Sequence, residues 1–248
     1  MVKSSIYFLL LISSLKSFSQ NKILSSSYIE IETKVFLAAQ TVIESSQTGK
    51  ILENYVTPSA GLGFNYIIQN KHLTYSAGLA SRILPIGYQF TVKKEDRFPK
   101  EGLIFDYQDK LSEYYFRVFS IPLKIGYQTL ENRAKQKFWF SGGIETNVTS
   151  DKSLGTSFLS SGNNPPLIDV ETETVNQIYP SFSLGGGISK IHKNGDELKF
   201  GLEYNISNTN IIDGNYIVNL KNRTVTGIYR DTGTYIGFNF AYVFKLKK

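Results

Sequence analysis

Two histidines, His72 and His192, are the side chains of this sequence best suited to acid–base chemistry near neutral pH. A general base must lie within hydrogen-bond reach of its substrate, and hydrolases pair it with a nucleophile such as serine and with an acidic residue. Each histidine lies in a short segment of turn-forming residues, and no serine and acid accompany it at a recognisable spacing. We therefore expect solvated turn histidines and no enzymatic activity.

Metal and cofactor motifs are incomplete in this sequence. It has no cysteine and no pair of histidines at ligand spacing. The segment Asp213–Asn215 lacks the remainder of a calcium loop, and Gly185–Gly187 is not followed by the Lys-Ser/Thr of a phosphate loop. We expect no bound metal and no cofactor.

A different kind of chemistry is suggested by four ionisable residues that lie within strand-like segments. Strand parity places Arg82, Glu145 and Glu203 on the polar faces of their segments. Arg117 shares the parity of apolar residues and joins the other three only if a bulge intervenes near Val118. Charges at such positions are costly unless they pair. We predict an ion-pair network that closes an internal lumen as a stabilising plug, with a gated pore as the alternative.

The elements that must position these residues are eight segments in which apolar and polar residues alternate, the period of a β-strand. Clear examples are Val56–Ile68, Leu198–Ile206 and Ile236–Leu246. The aromatic content of 14% also favours strands over helices. The fold class predicted is all-β, with eight antiparallel strands.

The connections between these strands alternate between short and long. The short ones include residues 69–72 and 192–197, whereas residues 93–110, 150–174 and 208–231 form long loops. Because every second connection is long, all long loops fall at one end of the sheet. Short turns at one end and long loops at the other are typical of membrane β-barrels.

The polar faces of the strands decide between a soluble protein and a membrane protein. They are rich in glycine, serine, threonine and asparagine, whereas the surface of a soluble β-protein would carry more lysine and glutamate. The interior of an eight-stranded barrel is narrow and suits small residues. We therefore predict an up-and-down transmembrane β-barrel, with apolar faces outward and rings of tyrosine and phenylalanine at the lipid–water boundaries.

Several stretches resemble the PorT-like outer-membrane β-barrel proteins of Gram-negative bacteria. They are "PSAGLGFNY" (Pro58–Tyr66), "IPLKIGYQ" (Ile121–Gln128), "SGGIETN" (Ser141–Asn147), "SLGGGIS" (Ser183–Ser189) and the aromatic last strand. The resemblance covers most of residues 20–248 and implies a barrel in the outer membrane. The chain lacks the N-terminal segment expected of the secretion component that names this family, so the resemblance implies the fold and not that role.

Residues 1–19 have the pattern of a cleaved secretory signal peptide. Lys3 precedes the apolar run Ile6–Ile12, and the small residues Ser17 and Ser19 precede Gln20. We assign residues 1–19 to the signal peptide and residues 20–248 to the barrel domain, and we expect export to the bacterial outer membrane. With 27 basic and 21 acidic residues, dispersed along the chain, the charge does not indicate a nucleic-acid partner.

The function predicted is that of a non-enzymatic outer-membrane barrel whose long extracellular loops serve binding, adhesion or structural roles. Loops on a rigid scaffold are common sites of function, and Phe98, Phe105 and Tyr107 are candidate contact residues. One alternative is a narrow porin or a secretion or transport accessory component. A second is a soluble lipocalin-like carrier with its apolar faces inward. Outer-membrane lipid is an expected partner. An extracellular or periplasmic protein is a second candidate partner, and the sequence does not determine the oligomeric state.

Overall fold

The computed structural model describes residues 25–38, 41–45, 52–54, 58–92, 107–149, 153–158 and 168–246. These residues form fourteen strands. The strands are β1 (Ser25–Ala38), β2 (Thr41–Ser45), β3 (Leu52–Asn54), β4 (Pro58–Asn70), β5 (Leu73–Val92), β6 (Tyr107–Gln128), β7 (Gln136–Thr149), β8 (Ser153–Phe158), β9 (Ile168–Thr174), β10 (Ile178–Ile191), β11 (Glu197–Ile206), β12 (Ile212–Asn219), β13 (Thr224–Asp231) and β14 (Tyr235–Lys245).

Eight of these strands close into a barrel. The hydrogen-bonded order is β5-β4-β1-β14-β11-β10-β7-β6, and an additional β5–β6 pairing joins the two ends of that row. All of the pairings are antiparallel, and each strand neighbours the barrel strands that precede and follow it along the chain. The predicted eight-stranded up-and-down barrel is confirmed.

Large apolar side chains cover the outside of the barrel wall. Phe64 of β4, Ile125 of β6 and Phe238 of β14 are 58%, 60% and 60% exposed, and every barrel strand contributes comparable residues. Monomeric soluble proteins do not expose an apolar belt of this extent, whereas a barrel in a bilayer requires one. The predicted outward orientation of the apolar faces is confirmed. The soluble carrier needed these faces inward, so that alternative is wrong.

Glycines on the inner face allow the strands to curve around a narrow lumen. A side-chain carbon at Gly187 would collide with the carbonyl oxygen of Phe200, and one at Gly143 would collide with that of Leu123. A larger residue at either position would therefore push two neighbouring strands apart. This crowding explains why the polar faces of the sequence are rich in the smallest residue.

The connections 150–174 and 208–231, which are assigned to loops from the sequence, contribute strands to a second sheet. The strand order of the second sheet is β2-β13-β12-β9-β8. It matches the order of the barrel strands β1, β14, β11, β10 and β7, each of which adjoins the corresponding strand along the chain. The second sheet therefore extends one side of the barrel wall beyond short interruptions in the strands. One face of the second sheet is buried, and its residues alternate along the strands with residues of the more exposed face. The buried residues are Ile168, Val170, Tyr216, Val218, Val225 and Tyr229. This alternation is the sequence signal that distinguishes these segments from loops.

Backbone hydrogen bonds bridge the interruptions between barrel and second sheet. The amide of Val175 donates to the carbonyl of Ile211 at 2.9 Å, and the amide of Ile211 donates to that of Asp231 at 2.8 Å. Gly233, at a φ of 69°, turns the chain from β13 into β14. The two sheets are thus joined by ordered main chain at three neighbouring strands.

Several residues of interest lie outside the described part of the chain. Residues 1–19 and the loop residues Phe98 and Phe105 are among them. Tyr107 is the first residue of β6 and pairs with Val92, so it belongs to a strand and not to the loop to which the sequence assigned it. Its side chain is not described. Among the described residues, no helix has the length and hydropathy needed to cross a membrane.

Candidate functional site in the barrel lumen

A network of paired charges occupies the middle of the lumen, and Glu203 of β11 lies at its centre. The Nζ atoms of Lys34 and Lys124 lie 2.6 Å and 2.8 Å from the two carboxylate oxygens of Glu203. The hydroxyl of Tyr235 donates a third hydrogen bond to this carboxylate at 3.1 Å. All four residues are buried, so each of these contacts forms away from bulk water.

A second group of contacts surrounds Glu145 of β7. Arg82 Nη1 lies 2.8 Å from Glu145 Oε2, and Arg82 Nη2 donates to Asn147 Oδ1 at 2.7 Å. Asn205 Nδ2 donates to the same Glu145 oxygen at 3.2 Å. Lys124 joins the two groups, because its Nζ also lies 3.9 Å from Glu145 Oε1.

Glu32 of β1 completes the network. Its carboxylate lies 3.1 Å from Lys34 Nζ and accepts a hydrogen bond from Asn239 Nδ2 at 3.1 Å. The network then contains three carboxylates and three cations, so its formal charges cancel: Glu32, Glu145, Glu203, Lys34, Arg82 and Lys124. Its charged residues come from β1, β5, β6, β7 and β11. Removing one member would leave an uncompensated charge inside the wall, which is strongly unfavourable.

Three of the four ionisable residues singled out in the sequence lie in this network: Arg82, Glu145 and Glu203. The assignment of Arg117 to it is wrong. Arg117 pairs with Ile83 on the exposed side of the wall while its neighbour Val118 is fully buried, and the register stays regular at this point. Without a bulge, the period of two keeps Arg117 on the outer face.

Sequence reasoning missed three members of the network, Glu32, Lys34 and Lys124. Each alternates with apolar residues in its strand, so parity alone assigned all three to the polar face. What parity does not supply is the register between strands that are distant in the sequence. Lys34 and Glu203, for example, are 169 positions apart and meet only because β14 lies between β1 and β11.

Aromatic and aliphatic side chains line the lumen on the long-connection side of the network. The rings of Phe36 and Tyr235 lie 4.6 Å apart, and the guanidinium of Arg82 lies 5.1 Å from the centre of the Tyr235 ring. A side-chain carbon at Gly233 would contact both Leu84 and the Tyr179 hydroxyl, so these groups converge there. The charged layer is therefore followed by an apolar layer, and both obstruct the same passage.

A polar cavity of about 40 Å³ lies on the other side of the network. Its lining includes Lys199, whose Nζ is 2.7 Å from Glu30 Oε2 and 6.0 Å from the centre of the Trp139 ring. Buried Trp139 Nε1, Gln128 Oε1 and Asn239 Oδ1 have no hydrogen-bond partner among the described residues. The volume suits a few water molecules, which would satisfy these atoms.

Both histidines lie at the end of the barrel that carries the short turns, here called the short-turn end: residues 71–72, 129–135 and 192–196. His72 Nδ1 donates to the carbonyl oxygen of Gln128 at 2.9 Å, and its ring stacks on Tyr127. His192 stacks on Tyr242. Among the described residues, no group of three His, Cys, Asp or Glu could hold a metal ion.

Comparisons with known proteins bear on the fold alone. No protein-family model matches the chain, and no curated protein matches it. Among solved structures, Neisserial surface protein A is similar at 13% identity and a TM-score of 0.41, covering 87% of this chain and 97% of that one. A mutant of the TodX monoaromatic hydrocarbon channel has 13% identity and a TM-score of 0.31, covering 89% and 66%. The translocator domain of the autotransporter NalP from Neisseria meningitidis has 6% identity and a TM-score of 0.29, covering 98% and 96%.

Proposed function

We propose that this protein is a non-enzymatic barrel of the bacterial outer membrane, exported by a signal peptide over residues 1–19. Its closed lumen stabilises the barrel, and its second sheet serves as an extracellular surface for binding or adhesion. The observation that carries this proposal is that one chain combines an obstructed barrel lumen with a second sheet at one end of the barrel. Paired charges and an apolar layer obstruct the lumen, while the described parts of the connections 150–174 and 208–231 form strands of a second sheet.

The second sheet supports a binding role because its side chains are held in fixed register. On its exposed face Ile217 lies opposite Asp169, and Asp213 lies opposite Glu173. Asp213 also pairs with Arg230, whose Nε lies 3.4 Å from its carboxylate. A rigid, polar surface of this kind loses little conformational entropy when a partner binds. The expected partner is an extracellular protein, and lipid surrounds the barrel.

A narrow porin or a transport accessory is the second candidate, and the polar cavity is the observation that favours it. A continuous path would require both the ion-pair network and the apolar layer around Phe36 and Tyr235 to move aside. Eight strands leave an interior that side chains fill.

The first experiment tests the barrel, the closed lumen and the orientation together. Residues 20–248 are folded in detergent, and unboiled and boiled samples are compared by denaturing gel electrophoresis, where a closed barrel shifts in mobility. Planar bilayers containing the folded protein are expected to show no conductance steps. In intact cells, a peptide tag inserted between Lys221 and Arg223 is expected to bind antibody, whereas the same tag between Lys193 and Gly195 is expected to bind only after the outer membrane is opened.

Each outcome bears on a different part of the proposal. Stable conductance steps from the wild-type protein would refute the closed lumen and favour the porin. Antibody access to the tag at Lys193 in intact cells, with none at Lys221, would invert the orientation. A protein that stays soluble without detergent and shows no mobility shift would refute the membrane barrel itself.

A further inference from the structure

Six exposed basic residues at the short-turn end form what we call the basic rim: Lys71, Arg133, Lys135, Lys190, Lys193 and Lys245. They are dispersed along the sequence and come from three turns and from the ends of β10 and β14. Outside the lumen, the described residues of the same turns contain two carboxylates, Glu131 and Asp196. None of the six cations makes an ion pair in the described part of the chain, and they outnumber the two carboxylates, so the rim carries an excess of positive charge.

Main-chain contacts hold the parts of the rim next to one another. The amide of Ile191 donates to the carbonyl of Lys135 at 2.9 Å, which places Lys190 beside the turn that carries Lys135. The amide of Gln128 donates to the carbonyl of His72 at 2.7 Å, which joins the turn containing Lys71 to the same arc. The rim is therefore a continuous surface.

Asp196 is already engaged within this surface. It accepts hydrogen bonds from the Lys245 amide at 2.9 Å and from the Tyr242 hydroxyl at 3.1 Å, and Asn194 also donates to it. The Lys245 side chain packs over Gly195 in the same turn, where an added side-chain carbon would approach it to 3.0 Å. The carboxylate thus orders the turn and the last strand, and the six cations of the rim outnumber Glu131 and Asp196.

The depth of the rim identifies what it faces. Lys190 lies two positions beyond the exposed Ile188 in β10, and Lys245 lies one position beyond the exposed Phe244 in β14. Strands that rise about 3.4 Å per residue at a tilt of about 40° advance about 2.6 Å per residue along the membrane normal. These two cations therefore lie about 3–5 Å beyond those apolar residues, which is within the depth of the lipid headgroups.

We propose that the basic rim binds the phosphate groups of anionic phospholipids in the membrane leaflet that surrounds the short-turn end. Which leaflet this is rests on the proposed orientation, which makes it the periplasmic one. The described residues of the second sheet, at the other end, include the exposed Glu171 and Glu173 and the half-buried Asp169 and Asp213, so this sheet does not carry a comparable basic surface. Long lysine side chains also suit this position, because their stems pack on apolar surface while their ammonium groups reach the headgroups.

The test is lipid selectivity in bilayers of known composition. Wild-type protein is reconstituted in phosphatidylcholine, and electron paramagnetic resonance gives the motionally restricted fraction of spin-labelled phosphatidylglycerol and of spin-labelled phosphatidylcholine. We expect phosphatidylglycerol to be preferred about two- to fivefold at low salt, since a surface cation is worth about 1 kcal/mol and only part of the lipid annulus touches the rim. Screening in 1 M NaCl should remove most of this preference.

Matched variants locate the effect. The double variant K190Q/K193Q is expected to reduce the preference, and adding R133Q and K135Q is expected to abolish it. The control K221Q/R223Q removes two exposed cations from the opposite end and should leave it unchanged. Heat modifiability is measured on every sample, so that a failure to form the barrel, which would count against the proposed function, is separated from a failure of the rim.

Three results would overturn the proposal. The first is equal association of the two lipids with the folded wild-type protein at low salt. The second is a preference that persists in the quadruple variant. The third is tight, salt-sensitive binding of soluble polyglutamate without lipid selectivity, which would identify an acidic protein as the occupant.

Discussion

The substitution Glu203→Gln tests whether the charge network holds the barrel together. The carboxylate of Glu203 has contacts of 2.6 Å with Lys34, 2.8 Å with Lys124 and 3.1 Å with the Tyr235 hydroxyl. The neutral amide leaves two lysines facing it and an excess positive charge in the lumen. Breaking a buried ion pair by removal of one partner costs about 3–5 kcal/mol, and we expect a loss of unfolding free energy in this range.

The assay is denaturant unfolding of the folded barrel in phosphatidylcholine vesicles, followed by the fluorescence of Trp139, the one tryptophan of the chain. The control Glu171→Gln removes an exposed carboxylate from the second sheet and should change stability by less than about 0.5 kcal/mol. Both variants keep the side-chain volume, so packing is not the difference between them.

A double-mutant cycle with Lys124→Met isolates the role of charge balance. Lys124→Met alone leaves Glu203 with Lys34 and Tyr235, whereas the double variant restores equal numbers of positive and negative charges in the network. We expect the loss of unfolding free energy in the double variant to be smaller than the sum of the two single losses by about 1–3 kcal/mol. Additive losses, or an E203Q variant as stable as wild type, would refute the reasoning that these charges act as one unit.

Three further predictions concern the wall and its turns. Phe64→Lys puts a charge on the lipid face midway along β4 and should cost about 2–4 kcal/mol in vesicle unfolding, whereas Ile217→Lys on the second sheet should cost little. Gly187→Ala should prevent formation of the heat-modifiable barrel, because its methyl group would collide with the neighbouring strand, whereas Gly186→Ala, with its nearest contact at 3.2 Å, should fold. The hydrogen bond from the Lys245 amide lowers the pKa of Asp196 below its ordinary value of 3.8. The stabilisation that the Asp196 carboxylate provides is therefore complete above pH 3.8 and is lost as the pH falls through the lowered pKa. Asp196→Asn should reduce the acid dependence of stability, measured by denaturation from pH 2 to pH 6.

The long connections show where reasoning from the sequence stopped short. From the sequence, the segments 150–174 and 208–231 are assigned to loops, although Ile168 and Val170 alternate there with polar residues as strand residues do. A pair of short strands is marginal alone, and these segments become a stable sheet by continuing strands that the barrel already aligns. That alignment is a property of the closed wall and not of either segment.

The ion-pair network and the basic rim show that strand parity does not identify which charged residues lie next to one another. Parity correctly placed Glu145 and Glu203 in the lumen, and it also indicated the outward side for Arg117. Which carboxylate would meet which cation depended on register across several strands, as for Lys34 and Glu203. The basic rim likewise has no signature in the sequence, because Lys71 and Lys245 are far apart in the chain and come to the same side of the barrel only because β4 and β14 both pair with β1.

The sequence by itself determined the strand class, the number of barrel strands, the side of each strand that faces lipid and the end that carries the long connections. All of these follow from a period of two and from connection lengths, which are local properties of the chain. Only the tertiary structure decided the partners of the buried charges, the exclusion of Arg117 from the lumen, the second sheet and the convergence of the rim. These depend on the register that closure imposes on strands distant in sequence, and register is fixed by the packing of the whole barrel.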